Sequence, residues 1–161
     1  MSTPVFHAAA TRSSSSVPRA PAAAALGVVT TPPSAPLAVR LAEIRAELAT
    51  LLDDWPPEVL AVEQVFFQVN VRTAMGVGQA SGVVMAEAAS RGVDVVQYTP
   101  NQVKQAVAGH GAAGKEQVQR MVQTLLALEQ VPRPPDAADA AALALCHLAH
   151  HPAGQRVGAA R

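Results

Sequence analysis

Three carboxylates in this sequence have the type and spacing to share a divalent metal ion. Asp136 and Asp139 lie three residues apart in "PRPPDAADAAALALCHLAHH", on one face of a predicted helix, and Glu63 interrupts the apolar run "EVLAVEQVFFQV". Hard cations such as Mg²⁺ and Mn²⁺ choose oxygen ligands. Two such ions about 4 Å apart stabilise the attacking and leaving oxygens of an in-line phosphodiester displacement. If the carboxylates converge, hydrolysis of nucleic acid is the natural chemistry.

Each carboxylate also has a purely structural interpretation. Asp136 follows Pro134 and Pro135 and can serve as an N-cap, and Asp139 then lies in the first turn, near the positive end of the helix dipole. A carboxylate inside a buried strand is costly unless it is paired, protonated or metal-bound. Glu63 can avoid that cost by facing outward at the strand end or by pairing with a lysine.

Composition predicts one intracellular domain with an unusual core. The chain has 161 residues, of which half are apolar and only 3% aromatic, so Ala, Val and Leu must fill the core. The single cysteine, Cys146, fits a reducing cytoplasm, and the N-terminus lacks the layout of a secretory signal. Formal net charge is zero. A net charge of zero does not exclude a local basic groove, because several cations share the half of the chain that holds the aspartates: Arg72, Lys104, Lys115, Arg120 and Arg133.

Hydrophobic patterning predicts an α/β domain over residues 26–151, between a disordered segment at 1–25 and a flexible tail at 152–161. "LGVVTT" predicts a strand, and apolar residues at helical spacing predict a helix from Pro36 to about Leu52. The run around Glu63 predicts a buried strand. A glycine-containing helix closed by Gly92, the strand "DVVQYTP" and three further helices complete the predicted order.

Several separated motifs resemble the RuvC family of Holliday-junction resolvases. They are "VEQVFF", "NVRTAMGVGQASGV", "TPNQVKQAVAGHGAAGKEQVQRMVQTLL" and "PPDAADAAALALCH", in the family's order between about Leu26 and His150. The resemblance implies an RNase H-like fold with a mixed central sheet flanked by helices. It also implies a homodimer that nicks four-way junction DNA with two Mg²⁺ per subunit, for which Mn²⁺ can substitute. A branch-migration helicase complex is a further partner that the family suggests.

The resemblance assigns roles residue by residue. Glu63, Asp136 and Asp139 match catalytic, metal-binding acids. Residues assigned to DNA binding are Phe66, Arg72, Lys104 and Lys115. Phe66 matches an aromatic that can stack on an unpaired base. Core packing is its alternative, and Lys104 and Lys115 can instead be solvated helix residues.

Two other groups of residues leave alternatives open. A run of small residues permits close backbone approach, either in a dimer interface as the family suggests or in packing on the sheet: Gly76, Gly78, Ala80, Ser81 and Gly82. His147, His150 and His151 have no accompanying ligand set. They are interpreted as helix-end histidines, which the negative dipole terminus favours.

The N-terminal segment departs from the family pattern. The family opens with a central strand of the form "GVDPGLTRCG" that supplies a catalytic aspartate, whereas "MSTPVFHAAATRSSSS" contains no Asp or Glu. The first central strand is therefore expected to be absent. GC-rich codons for "MSTPVFHAAA" can be chosen so that a neighbouring frame encodes "VDPGLPRCG", which suggests a frameshift or a mis-called start. Little or no nuclease activity is then expected. The alternatives are a catalytically dead junction-binding or dimerisation module and a different RNase H-like nuclease.

Overall fold

The computed structural model describes the backbone of residues 5–11, 21–64 and 71–151, and the side chains of residues 21–64 and 75–151. From β2 to α3, strands and helices alternate as the hydrophobic patterning predicts. The elements are β1 Val5–Thr11, β2 Ala22–Val29, α1 Leu37–Asp54, β3 Val59–Glu63, α2 Val71–Ser90, β4 Asp94–Tyr98, α3 Pro100–Ala108, α4 Lys115–Leu125 and α5 Pro135–His150. Their contacts divide the chain into two compact units, the first mainly residues 28–99 and the second mainly residues 100–161.

The first unit packs helices α1 and α2 with the parallel strands β3 and β4. The two strands pair in register from Val59 with Asp94 to Glu63 with Tyr98. The core of this unit is aliphatic, as the low aromatic content predicts. Its buried members are Val29, Ile44, Leu48, Leu52, Ala80, Val84 and Ala88. The residues of β3 are half-buried, except for Glu63, which is exposed. The prediction of a strand buried on both faces is therefore wrong.

Gly92 ends α2 as the sequence predicts. Its φ is +74°, in the left-handed region that favours glycine. The amide of Gly92 donates to the carbonyl of Ala89, and the amide of Val93 donates to that of Ala88. This pair of hydrogen bonds is the Schellman motif, which satisfies carbonyls at the helix end and turns the chain into β4.

The second unit is a helical layer in which α3 and α4 both pack against α5. Its core is also built from small and aliphatic side chains. They are Val107, Ala113, Val118, Val122, Leu126, Ala141, Ala142 and Leu145, with Leu26 of β2 packed against them. In the described part of the chain, no helix is both long enough and apolar enough to cross a bilayer.

The first strand is present, so the expectation that it is absent is wrong. β1 spans Val5–Thr11 and pairs with β2 in a two-stranded sheet. Residues 5–11 and 22–25 were predicted to be disordered, because alanine runs carry no hydrophobic period of two. The described strands form two separate pairs, β1–β2 and β3–β4, rather than the single mixed sheet that the resemblance implies.

An ion-pair network joins α1 to α2 around Glu87. The Glu87 side chain is only 6% exposed, and it accepts hydrogen bonds from Arg91 at 2.8 Å and from Arg45 at 2.7 Å. Arg91 also contacts Asp53 on α1. The two guanidinium groups, Arg91 first, hold the pKa of Glu87 below its ordinary value of 4.5, although burial opposes them. The carboxylate is therefore more stable as an anion in the fold than in the unfolded chain.

We expect the free energy of unfolding to fall as the pH drops below about 4.5, because Glu87 binds a proton in the unfolded chain before it does so in the fold. Glu87→Gln should lower the thermal midpoint at pH 7 and remove this part of the acid sensitivity. Glu43→Gln, which changes an exposed glutamate on α1, is the matched control. Thermal melts from pH 3 to 7 test the prediction, and parallel curves for the parent and Glu87→Gln would contradict it.

Candidate metal and DNA site

Helix α5 provides a closely packed base for the two aspartates. Nine of its residues are buried, and most are alanine, so α5 lies close to its neighbours α3 and α4. The buried residues are Ala137, Ala138, Ala140, Ala141, Ala142, Leu143, Leu145, Cys146 and His147. Asp136 and Asp139 are both half-buried: Asp136 directly precedes the buried positions, and Asp139 interrupts them. The alanine content therefore has a packing explanation, whereas the aspartates need another one.

The N-cap interpretation of Asp136 is wrong. The N-cap of α5 is Pro134, which has no side-chain capping bond, and Pro135 is the first helical residue. Asp136 is thus inside the first turn, where it still faces the positive helix terminus, but Asp139 lies beyond that turn. Proximity to the helix dipole explains at most one of the two carboxylates.

Asp139 forms an ion pair with the next helix. Its Oδ2 atom lies 2.9 Å from Nζ of Lys115, the first residue of α4. The two side chains are 37% and 58% exposed, so solvent reaches the pair. The family resemblance implies Lys115 and Asp139 as separate site residues, and the structure brings them into direct contact.

Glu63 is the last residue of β3 and is exposed. The cost of burying a carboxylate inside a strand therefore does not apply to it, which weakens the burial argument for a metal ligand at this position. A different argument remains, because ligands of parallel α/β sheets bind at the carboxyl ends of the strands. Glu63 lies at that end of β3, beside Tyr98 at the same end of β4.

The donor set fits Mg²⁺ in part. Magnesium commonly takes one or two protein carboxylates and completes its coordination with water and substrate phosphate. Asp136 and Asp139 supply two oxygen-bearing groups one helical turn apart, and the Lys115 ammonium shows that Asp139 already attracts a cation. Among the residues whose side chains are described, no group of three His, Cys, Asp or Glu could hold a metal ion. The three-carboxylate cluster with Glu63 therefore stays a prediction.

The residues assigned to DNA binding are only partly described. Lys104 lies on α3 and is half-buried, and Lys115 begins α4 and is exposed. Arg72 is the second residue of α2, but its side chain is outside the described part. Phe66 falls in 65–70, also outside it. The stacking role of Phe66 stays a prediction.

The histidines at the end of α5 agree with their interpretation as helix-end residues. His147 and His150 lie in the last turn, and the Nδ1 of His150 is 2.8 Å from the carbonyl oxygen of Cys146. Burial raises the pKa of the Cys146 thiol to about 11, so the thiol stays protonated at neutral pH. Cys146 is completely buried, so it packs as a small apolar side chain in the core.

Comparison with known proteins identifies the family of the chain. The family model described as crossover junction endodeoxyribonuclease RuvC matches residues 14–147. The chain belongs to the RuvC family. A RuvC from Thermomicrobium roseum is 50% identical over 133 residues, which cover 83% of this chain and 82% of the relative. A RuvC from Moorella thermoacetica is 56% identical over 117 residues, covering 73% and 70%.

Solved RuvC structures support the same fold. RuvC from Thermus thermophilus in complex with a Holliday junction substrate superposes with a TM-score of 0.83 at 39% identity, covering 92% of this chain and 88% of that one. The α/β, RNase H-like fold class predicted from sequence is thereby confirmed. The match to the family model begins at residue 14, after β1, so β1 lies outside that match.

Two features of the structure were not found from the sequence. The contact between Lys115 and Asp139 joins residues on different helices, and no local spacing rule connects them. The Glu87 network had a detectable signal, because Arg91 follows Glu87 by four residues, in the turn directly after the end of α2, and this spacing brings the two side chains to the same side.

Proposed function

We infer that this chain is a structure-selective endodeoxyribonuclease that resolves four-way DNA junctions in recombination and repair, by hydrolysis of phosphodiester bonds. The observation that carries the proposal is the match over 92% of the chain to a RuvC solved with its junction substrate. The single, buried cysteine fits action in a reducing cytoplasm. A branch-migration helicase complex is the partner that the family suggests.

Asp136 and Asp139 are proposed as metal ligands, with Glu63 as the third. Bound Mg²⁺ would supply Lewis-acid stabilisation of the attacking and leaving oxygens of the scissile phosphate. The chain's own residues do the positioning: the packing of α5 fixes the direction of both aspartates, and the lysines neutralise phosphate charge. Lys104 and Lys115 are proposed to contact the DNA backbone, together with Arg72, while Phe66 stacks on an unpaired base.

Cleavage of a synthetic immobile four-way junction tests the proposed function. We expect slow, Mg²⁺-dependent paired nicks in strands of like polarity and none in EDTA. Linear duplex, single-stranded DNA and an RNA–DNA hybrid of the same sequence should be cut more slowly than the junction. Preference for one of these substrates would instead indicate a different RNase H-like nuclease.

A second candidate function is a junction-binding module without catalysis. One observation favours it: β1, "VFHAAAT", contains no carboxylate, whereas the first strand of the family carries an aspartate. A binding module should bind junctions equally well in Mg²⁺ and EDTA and bind no Mn²⁺. An enzyme should bind two Mn²⁺ per subunit, so metal titration distinguishes the two functions.

The homodimer is proposed to form through α2. On this helix Met75 and Val77 are 55% and 39% exposed, and a Cβ added at Gly76, Gly78 or Gly82 would meet no described atom within 4 Å apart from the backbone of α2 itself. Close packing against the described part of the chain therefore does not explain these glycines. Gly78, Gly82 and Ala86 recur every four residues, a spacing that lets two helices approach closely.

We expect Gly82→Arg to shift the chain from dimer to monomer, because a long charged side chain would stand in the proposed interface. Ala46→Arg places the same side chain on the exposed face of α1 and should leave the dimer intact. Sedimentation velocity at micromolar concentration measures both. A Gly82→Arg protein that stays dimeric would place the interface elsewhere, and circular dichroism checks that the variant is folded.

A further inference from the structure

The ion pair between Lys115 and Asp139 connects a proposed DNA contact to a proposed metal ligand. Nζ of Lys115 lies 2.9 Å from Oδ2 of Asp139. The helices that carry them belong to one unit and share a core in which Val118 and Val122 of α4 pack with Ala141 and Leu145 of α5. The contact is therefore supported by fixed helices, although both side chains are partly open to solvent.

An ammonium and a divalent cation compete for the same carboxylate charge. With the ammonium on Oδ2, part of the negative charge that would attract a metal ion is already neutralised. A cation that binds Asp139 must also work against the repulsion from a positive charge a few ångströms away. Displacement of the ammonium removes both obstacles, and it leaves Lys115 able to bind another anion.

Resting on the proposed function, we propose that Lys115 is a displaceable counter-ion of Asp139, released by a divalent cation and then available to a DNA phosphate. Lys115 is thus a positioning residue that acts through Asp139. Because coupling between two ligands is reciprocal, metal binding strengthens phosphate binding by Lys115, and phosphate binding strengthens metal binding to the same degree. A merely structural ion pair between α4 and α5 has neither effect.

The size of the effect follows from the exposure of the pair. A solvent-exposed ion pair contributes little free energy. Its removal changes an equilibrium constant by about two- to fivefold. We therefore expect Lys115→Met to bind Mn²⁺ about two- to fivefold more tightly than the parent chain. The difference should shrink at high salt, which screens exposed charges.

The test is a Mn²⁺ titration of the full chain without DNA, followed by electron paramagnetic resonance. Four proteins are compared: the parent, Lys115→Met, Asp139→Asn and Arg120→Met. Arg120 is the matched control, because it is a cation on the same helix that pairs with Glu116 instead of Asp139. Arg120→Met should bind Mn²⁺ like the parent, and Asp139→Asn should bind it at least tenfold more weakly. Thermal melts confirm that each variant is folded.

A second measurement on the parent follows the lysine directly. Reductive methylation with ¹³C keeps the positive charge and gives each lysine a resonance. The Lys115 resonance should shift on addition of Mg²⁺ in the parent and stay unchanged in Asp139→Asn. This measurement stays decisive if Lys115→Met fails to fold.

The possible results distinguish failure of the counter-ion proposal from failure of the proposed metal site. Suppose that Asp139→Asn loses Mn²⁺ binding, but Lys115→Met binds no more tightly and the Lys115 resonance does not shift. This result contradicts the counter-ion proposal and still supports Asp139 as a metal ligand. Equal tightening in Lys115→Met and Arg120→Met shows a general charge effect and also overturns the counter-ion. Unchanged binding in Asp139→Asn, or no Mn²⁺ binding in any protein, contradicts the proposed metal site itself.

Discussion

Asp136→Asn is expected to slow Mg²⁺-dependent cleavage of a four-way junction by at least about a hundredfold, because mutation of the outer partners of metal ligands already costs about 10- to 100-fold. Asparagine keeps the shape of the side chain but removes the charge that holds the cation. Asp136 is the second residue of α5 and not its N-cap, so the substitution removes no N-cap hydrogen bond. The free energy of unfolding should therefore change little. Single-turnover cleavage measures the rate.

Junction binding distinguishes loss of chemistry from loss of fold. We expect Asp136→Asn to bind the junction in EDTA at least as tightly as the parent, since a negative charge near the phosphates has been removed. Glu129→Gln is the matched control, because it neutralises an exposed carboxylate in the loop that precedes α5. A Glu129→Gln protein that loses as much activity as Asp136→Asn would show that general surface charge, rather than metal ligation, sets the rate.

The second large effect concerns the N-terminal segment. A chain whose first residues carry the alternative-frame sequence "VDPGLPRCG" in place of "STPVFHAAA" is expected to cleave the junction at least about a hundredfold faster than this chain. The replacement adds an acid to a segment that contains none. An additional carboxylate would complete the set of ligands needed to hold two metal ions.

The control for this experiment is the same replacement with the new aspartate changed to asparagine. That protein should cleave at the rate of the original chain while binding the junction equally well. If the original chain already cleaves as fast as the replaced one, then β1 as written supports full activity, and the frameshift hypothesis is wrong. Cleavage rates and Mn²⁺ stoichiometry are measured on the same preparations.

Hydrophobic periodicity was sufficient to predict most of the described helices. α1 was predicted from Pro36 to about Leu52 and spans Leu37–Asp54, because its apolar residues recur at a clear helical spacing. β1 was not predicted, since a run of alanines has no periodicity and low strand propensity. Its pairing with β2 is a tertiary property that a local pattern does not encode.

The candidate site was predicted as residue identities and not as contacts. The motifs pointed to Asp136, Asp139 and Lys115, but spacing rules connect only residues on one helix. The ion pair between α4 and α5 depends on how those helices pack, which is a tertiary property that local spacing does not encode. The N-cap assignment failed for a similar reason: Pro134 and Pro135 both precede Asp136, and local sequence alone did not show which residue starts the helix.

The alanine-rich packing surface of α5 determines how the positions of Asp136 and Asp139 change when a core residue is substituted. An alanine side chain has no χ angle, so a helix seated on alanines cannot absorb a misfit by rotamer adjustment. Any enlargement at Ala138, which is fully buried, must displace the whole helix. The carboxylates on α5 would then move together as a rigid pair, and alignment with a phosphate would be kept or lost in a single step.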